Sequence, residues 1–249
     1  TARRWWTGGN VRLVQKICVV TGAARGIGRA VAASFAAEGA TVYALDRLGA
    51  ELPEPANGLR PRVLDLRDAG AVGACFNEIE AEAGCIDVLV NNAGVIFYNP
   101  IEETAVEDWD DLMAVNLRAP FLCARAVAAG MKARRSGSIL NLSSNAGVRG
   151  GNDESAYCAS KFGIEGFSRA LAIEFRPYNV AVNTITPGHP VHTAMSETTY
   201  GPENRAIWKD PAELAPAFIH LALQDASGLT DQHIRAWDLV QRLQYGVPA

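Results

Sequence analysis

Tyr157-Cys158-Ala159-Ser160-Lys161 sets a phenol and an amine four positions apart. On a helix, that spacing brings both side chains to one face, about one turn apart. A tyrosine hydroxyl, with a reference pKa of about 10, is a poor base at neutral pH. An ammonium alongside favours the phenolate, and any further positive charge beside it adds to that effect. The pair is suited to exchanging a proton with a substrate hydroxyl.

Thr21-Gly22-Ala23-Ala24-Arg25-Gly26-Ile27-Gly28 lies between an apolar run, Ile17-Cys18-Val19-Val20, and an alanine-rich stretch with helical character. Glycines at such a turn let the backbone approach a pyrophosphate held against helix N–H groups. The spacing is Gly-x3-Gly-x-Gly rather than the Gly-x-Gly-x-x-Gly of other dinucleotide folds, so placement between strand and helix carries the reading. Asp46 ends the second apolar run, where a carboxylate can accept hydrogen bonds from both ribose hydroxyls of an adenosine and repels a 2′-phosphate. It favours NAD over NADP; Arg25 and Arg47 weigh the other way, since either could reach a 2′-phosphate. Asp65, followed by Leu66, is placed either to hydrogen-bond an adenine or to cap a turn. With oxidised nicotinamide supplying a second positive charge, Tyr157 would move a proton while the cofactor moves a hydride.

These residues need a scaffold that brings strand ends together. Val42–Leu45, Arg62–Leu64, Ile86–Val90, Ser138–Leu142 and Val180–Ile185 read as further strands separated by helical patterns. Strands that are apolar throughout, alternating with helices, predict a parallel sheet covered on both faces. The stretch from Leu48 to Arg60 reads as a loop with a short helix. The expected architecture is α/β: a single-domain, doubly wound, Rossmann-type parallel sheet over residues 15–249, preceded by a flexible tail at 1–14.

Composition narrows the function classes. A net charge of −4 and a pI near 5.6 give no general attraction to nucleic acid or to an anionic membrane. Five scattered cysteines without a C-x-x-C pair fit free thiols in a reducing cytoplasm rather than disulfides or zinc. The histidines lack metal-site neighbours, so no metal is expected; His189 and His192 fall near the expected substrate pocket, as contacts or as surface residues. The first six residues carry two arginines but no apolar segment behind them, which fits neither a secretory signal nor a membrane span.

From about Gln15 to at least Ala194 the chain resembles the short-chain dehydrogenase/reductase family in its compact single-domain branch. The resemblance rests on Thr21-Gly22-x3-Gly26-x-Gly28, Asn91-Asn92-Ala93-Gly94, Asn116, Ser144 and Tyr157-x3-Lys161, in the family's order. It implies interconversion of a secondary alcohol and a ketone, with Tyr157 as general acid and base and Ser144 orienting the substrate oxygen. Lys161 would lower the tyrosine pKa and hold the nicotinamide ribose. Asn92, Ala93 and Gly94 would pass beside the cofactor, while Ser143 would point elsewhere. Asn116 resembles the asparagine that anchors a relay water; Pro120 has no N–H to give the Asn116 carbonyl, which either frees that carbonyl for water or simply distorts the helix.

Pro187 and Gly188 are implied cofactor contacts, and past them the expected threonine falls one position late, at Thr193, as the implied contact for the nicotinamide carboxamide. A Val-Asp-Gly-Gly-like turn is replaced by Ile234-Arg235-Ala236-Trp237-Asp238-Leu239. Met195 to Trp208 reads as a mobile lid over a small-molecule substrate. Ile164, Phe167, Leu171 and Phe175 form one apolar stripe, with Phe162 and Ile173 off it. Leu112, Met113, Val115, Phe121, Leu122 and Val127 are spread around an earlier helix. Helices apolar on more than one side need a second partner, and with the resemblance they predict a homotetramer or a homodimer. Two rival readings are epimerase or dehydratase chemistry on a sugar nucleotide, and a non-catalytic cofactor-binding regulator or scaffold.

Overall fold

The structure, a computed structural model, describes residues 11–246. Its strands are β1 (Ile17–Thr21), β2 (Thr41–Asp46), β3 (Leu59–Val63), β4 (Val88–Asn91), β5 (Gly137–Leu142), β6 (Val180–Thr186) and β7 (His233–Arg235). Its α-helices are α1 (Gly26–Ala37), α2 (Ala69–Ala83), α3 (Val106–Met113), α4 (Ala119–Arg134), α5 (Ser155–Phe175), α6 (Ala194–Thr199), α7 (Ala215–Ala222) and α8 (Ala236–Tyr245).

The strands pair in parallel, in the order β3-β2-β1-β4-β5-β6-β7. Successive side chains of a strand point to opposite faces, so each central strand feeds two cores. Val20, Val42 and Val90 pack with Val31, Phe35, Phe218 and Leu221 of α1 and α7 on one face. Val19, Leu89, Ile139 and Val182 pack with Phe76, Ile79, Met131 and Phe175 of α2, α4 and α5 on the other. Burying a side chain of this size contributes about 1.5–3 kcal/mol. Strand order reverses between β1 and β4, which opens a crevice beyond their carboxyl ends.

The doubly wound parallel fold is as expected; several boundaries differ. The third strand begins at Leu59 rather than Arg62, because Leu59 to Val63 register against Val42 to Asp46. Pro61 is tolerated within it because β3 is an edge strand. Leu48–Arg60 therefore holds a 3-10 turn at Gly49–Glu51 and the start of β3. Of the expected tail, residues 1–10 lie outside the described residues, but Leu13 is fully buried in the core and Arg12 pairs with Glu38 at 3.0 Å. The missing glycine-rich turn near the C-terminus is replaced by β7 and α8, whose Ala236 and Val240 are buried.

Between α3 and α4 the chain makes a π-helical segment, Ala114–Arg118, and Pro120 enters the first turn of α4. By length and composition the whole rod Val106–Arg134 could cross a membrane, but 44% of its most apolar window is buried inside the protein. Leu112, Leu122, Val127 and Met131 are among the buried residues.

Candidate active site

The crevice begins where two turns cross. Thr21, the last residue of β1, accepts the backbone N–H groups of Asn92 and Ala93 on its Oγ1, both at 3.1 Å. Asn92 Nδ2 returns hydrogen bonds to the Thr21 and Gly22 carbonyls at 2.9 and 3.1 Å. Gly22 has φ +66°, and a Cβ on it would stand 2.8 Å from Ala93 Cα. A Cβ on Gly28 would stand 2.2 Å from the Gly22 carbonyl oxygen. Only glycine allows the approach at these two positions. Gly28 is a buried packing residue under the turn, whereas Gly22, Arg25, Gly26 and Ile27 line a cleft of about 660 Å³.

Arg25 starts α1 in an extended conformation and gives no side-chain cap. The first N–H groups of α1 are thus left for an anionic group, as a pyrophosphate requires. Asp46 and Arg47, at the end of β2, line the same cleft. The Asp46 carboxylate accepts Ala24 N–H at 3.1 Å and Leu48 N–H at 3.0 Å, which fixes its direction. Asp65 and Leu66 line the cleft with Asn92, Ala93 and Gly94. Asp65 is engaged by the Arg67 guanidinium, which holds its carboxyl below the usual range. Arg67, which the sequence reading did not single out, also reaches Asp111 at 2.9 Å and lines the cleft.

Thr193 reaches the cleft and packs over Gly26, whose Cβ would meet its methyl at 3.2 Å. Its hydroxyl accepts Ser196 N–H at 3.1 Å in a capping box that starts α6, so the stretch expected as a lid begins as a helix at Ala194. Pro187 and Gly188 are not among the cleft-lining residues. Their carbonyls accept Trp237 N–H at 3.0 Å and the Arg235 guanidinium at 2.9 Å, turning this stretch toward α8. His189 lies against the Trp237 ring, and His192 pairs with Glu197 at 2.7 Å on the lid.

The Tyr157 and Lys161 side chains are buried beside this cleft. Tyr157 and Lys161 share the inner face of α5, with Lys161 Nζ 5.6 Å from the Tyr157 ring centre. Ser144 follows β5, accepts Ala146 N–H at 3.2 Å, and hydrogen-bonds the Tyr157 hydroxyl. The Ser143 hydroxyl is buried and faces Gly147 instead. Lys161 Nζ donates to the Leu142 carbonyl at 2.8 Å. Burial pushes the Tyr157 hydroxyl up to about 12; its Ser144 hydrogen bond opposes this, while Tyr98, Tyr200 and Glu154 add to it. Burial likewise pulls Lys161 down to about 8, against the influence of Glu165. The sequence predicts a phenol depressed by its lysine; in the fold, burial is the largest influence on the hydroxyl and moves it up.

Asn116 sits in the π-helical segment, but its side chain is fully committed. It accepts Val95 N–H and donates to Val95 O, both at 2.9 Å, and donates to Ser160 Oγ at 3.1 Å. The residue thereby ties the segment after Gly94 to α5, one position from Lys161.

Comparison with known proteins gives this arrangement a family. Residues 16–204 match the short chain dehydrogenase family. The chain belongs to that family and is an oxidoreductase. It is 38% identical to the D-threitol dehydrogenase of Mycolicibacterium smegmatis, over 87% of this chain and 89% of that one. It is 34% identical to the 3-oxoacyl-[acyl-carrier-protein] reductase FabG of Escherichia coli, over 87% and 93%. A solved structure of a provisionally assigned NAD(P)-dependent gluconate 5-dehydrogenase from Beutenbergia cavernae, with NADP bound at low occupancy, superposes with a TM-score of 0.82. It is 32% identical and covers 93% of this chain and 100% of that one.

Asn116→Ala should cost about 1–3 kcal/mol, because the part-buried amide and carbonyl of Val95 and the buried Ser160 hydroxyl lose their partner. Urea unfolding measures the loss, and an unchanged midpoint would mean that the Asn116 bridge contributes nothing.

Proposed function

We propose that the protein interconverts a secondary alcohol and a ketone, with Tyr157 as the proton-transfer group. The observation that carries this reading is the convergence of the Ser144 and Tyr157 hydroxyls beside Lys161, at the edge of a cleft floored by Asn92, Ala93 and Gly94. Ser144, fixed by Ala146, orients the substrate oxygen. Tyr157 takes the proton of the alcohol or returns it to the ketone, and Lys161 supplies the local positive charge that a phenolate needs. A nicotinamide dinucleotide held by Gly22, Gly26, Asp46 and Gly94 supplies the hydride acceptor or donor. Residues 15–249 act as one domain in this reading.

We favour NAD. Asp46 is held by the Ala24 and Leu48 N–H groups at the strand end where this reading puts the ribose, and its charge would oppose a 2′-phosphate there. For the substrate, Tyr98, Tyr200 and Glu154 lie close enough to act electrostatically on the Tyr157 hydroxyl. Hydroxyls and one carboxylate on that side of Tyr157 suit a neutral polyhydroxylated molecule better than an anionic or acyl substrate, in keeping with the D-threitol relative. The five free thiols fit a cytoplasmic setting. Phe121, Phe162 and Ile173 are 44%, 50% and 66% exposed on the outer faces of α4 and α5, and there we place the contacts of a homotetramer or homodimer.

Tyr157→Phe should lower kcat by at least about a hundredfold while leaving dinucleotide affinity nearly intact; stopped assays and calorimetry separate the two, and an unchanged kcat would sink the mechanism. The native protein should show a higher kcat/KM with NAD than with NADP, measured on polyols, and Asp46→Ala should narrow that ratio. A native preference for NADP would reverse the assignment. Light scattering at micromolar concentration should give a dimeric or tetrameric mass, and a monomeric mass refutes the assembly.

A further inference from the structure

Glu165 lies one turn beyond Lys161 on α5 and is 6% exposed. It is held from two strands: Oε2 accepts the Thr184 hydroxyl of β6 at 2.9 Å, and Oε1 accepts Nδ1–H of His233 on β7 at 2.8 Å. Thr184 Oγ1 is also 3.3 Å from the same ring nitrogen, so the three groups close on one another. Against its other side, a Cβ on Gly147 would stand 3.2 Å from Glu165 Cγ. Carboxylates are rarely buried without a paired charge, because desolvation is costly, and the proton-transfer chemistry described above makes no use of this one.

We propose that Glu165, held in place by Thr184 and His233, is a positioning residue that keeps the buried Lys161 amine cationic beside Tyr157. The inference rests on the alcohol-oxidoreductase reading of Tyr157 and Lys161. The groups facing Lys161 leave this task to Glu165. The Tyr157 ring centre lies 5.6 Å from Nζ, the Asn116 amide beside Gly94 is engaged with Val95, and the end of β5 gives a carbonyl at 2.8 Å from Nζ. Glu154, Tyr98 and Tyr200 gather around Tyr157. Burial pulls the lysine down to about 8, and Glu165 is the charge that acts against it. His233 and Thr184 point the carboxylate by donating to both of its oxygens, as a fixed local charge requires.

Glu165→Gln keeps the shape and hydrogen-bonding partners but removes the charge. With an alcohol that the native protein oxidises, both limbs of the kcat–pH profile should move to lower pH, by about one unit. Loss of a negative charge makes the ammonium harder to keep and the phenolate easier to form, whereas a merely structural role lowers the profile without moving it. Glu165→Asp, which restores the charge, should bring the midpoints most of the way back.

Urea unfolding of the protein alone gives a second readout. Lys161 has a folded value below its ordinary 10.5, so its burial penalty is full below about 8 and is relieved as pH rises from there. In Glu165→Gln the relief should begin at lower pH, and Lys161→Met should abolish it. Unmoved midpoints together with an unmoved onset of relief overturn the proposal. If Glu165→Gln does not fold, Glu165→Met decides: it too removes the charge, the same downward shift is expected, and unmoved midpoints overturn the proposal. A native protein that oxidises no alcohol overturns the reading of Tyr157 instead, and the unfolding measurement still judges Glu165.

Discussion

The interaction on which the rest of the site depends is the crossing of the turns after β1 and β4. Thr21 and Asn92 exchange hydrogen bonds in both directions, and Gly22 and Gly28 admit the close approach. This contact closes the strand reversal of the sheet. It directs the N-terminus of α1 toward the cleft and fixes the path of Ala93 and Gly94 past Lys161. A Cβ on Gly94 would stand 3.9 Å from Lys161 Nζ, so the crossing and the acid–base group are separated by little more than one glycine.

That proximity requires burying ionisable groups. Tyr157 and Lys161 are each shifted toward the neutral form by desolvation, in opposite directions. Left to burial alone, the pair would lose the charges that make it useful. In the mechanism we propose, polar neighbours — Ser144 for the phenol and Glu165 for the amine — work against a dry environment that also strengthens every remaining charge interaction.

Local patterns were the legible part of the sequence. Tyr157 and Lys161 share a helix face by spacing alone, Asp46 ends a strand by position, and the alternation of apolar runs and helices yields the doubly wound sheet. What was not legible depends on partners distant along the chain. Arg67 gains importance only when α3 brings Asp111 to it, and Glu165 meets His233 across 68 positions. β3 was displaced because its start is set by register against β2 rather than by its own apolarity, and the three-residue β7 is too short to show a period. Pro187 and Gly188 read as cleft residues until Trp237 and Arg235, which replace the expected turn, draw them away.

The π-helical segment at Ala114–Arg118 has a consequence for reading such helices. An extra residue in one turn shifts the angular phase of everything after it, so α3 and α4 present different stripes although they form one rod. α3 meets α5, while α4 meets α2. A single helical period fitted from Val106 to Arg134 averages these two stripes and makes the rod look apolar all round. Leu112 before the wide turn and Leu122 and Val127 after it are all buried within one chain, and only Phe121 of this group remains as large exposed apolar surface. A break in periodicity inside a rod thus has to be located before its apolar faces are counted, and here it leaves Phe121 as the face that α4 offers outward.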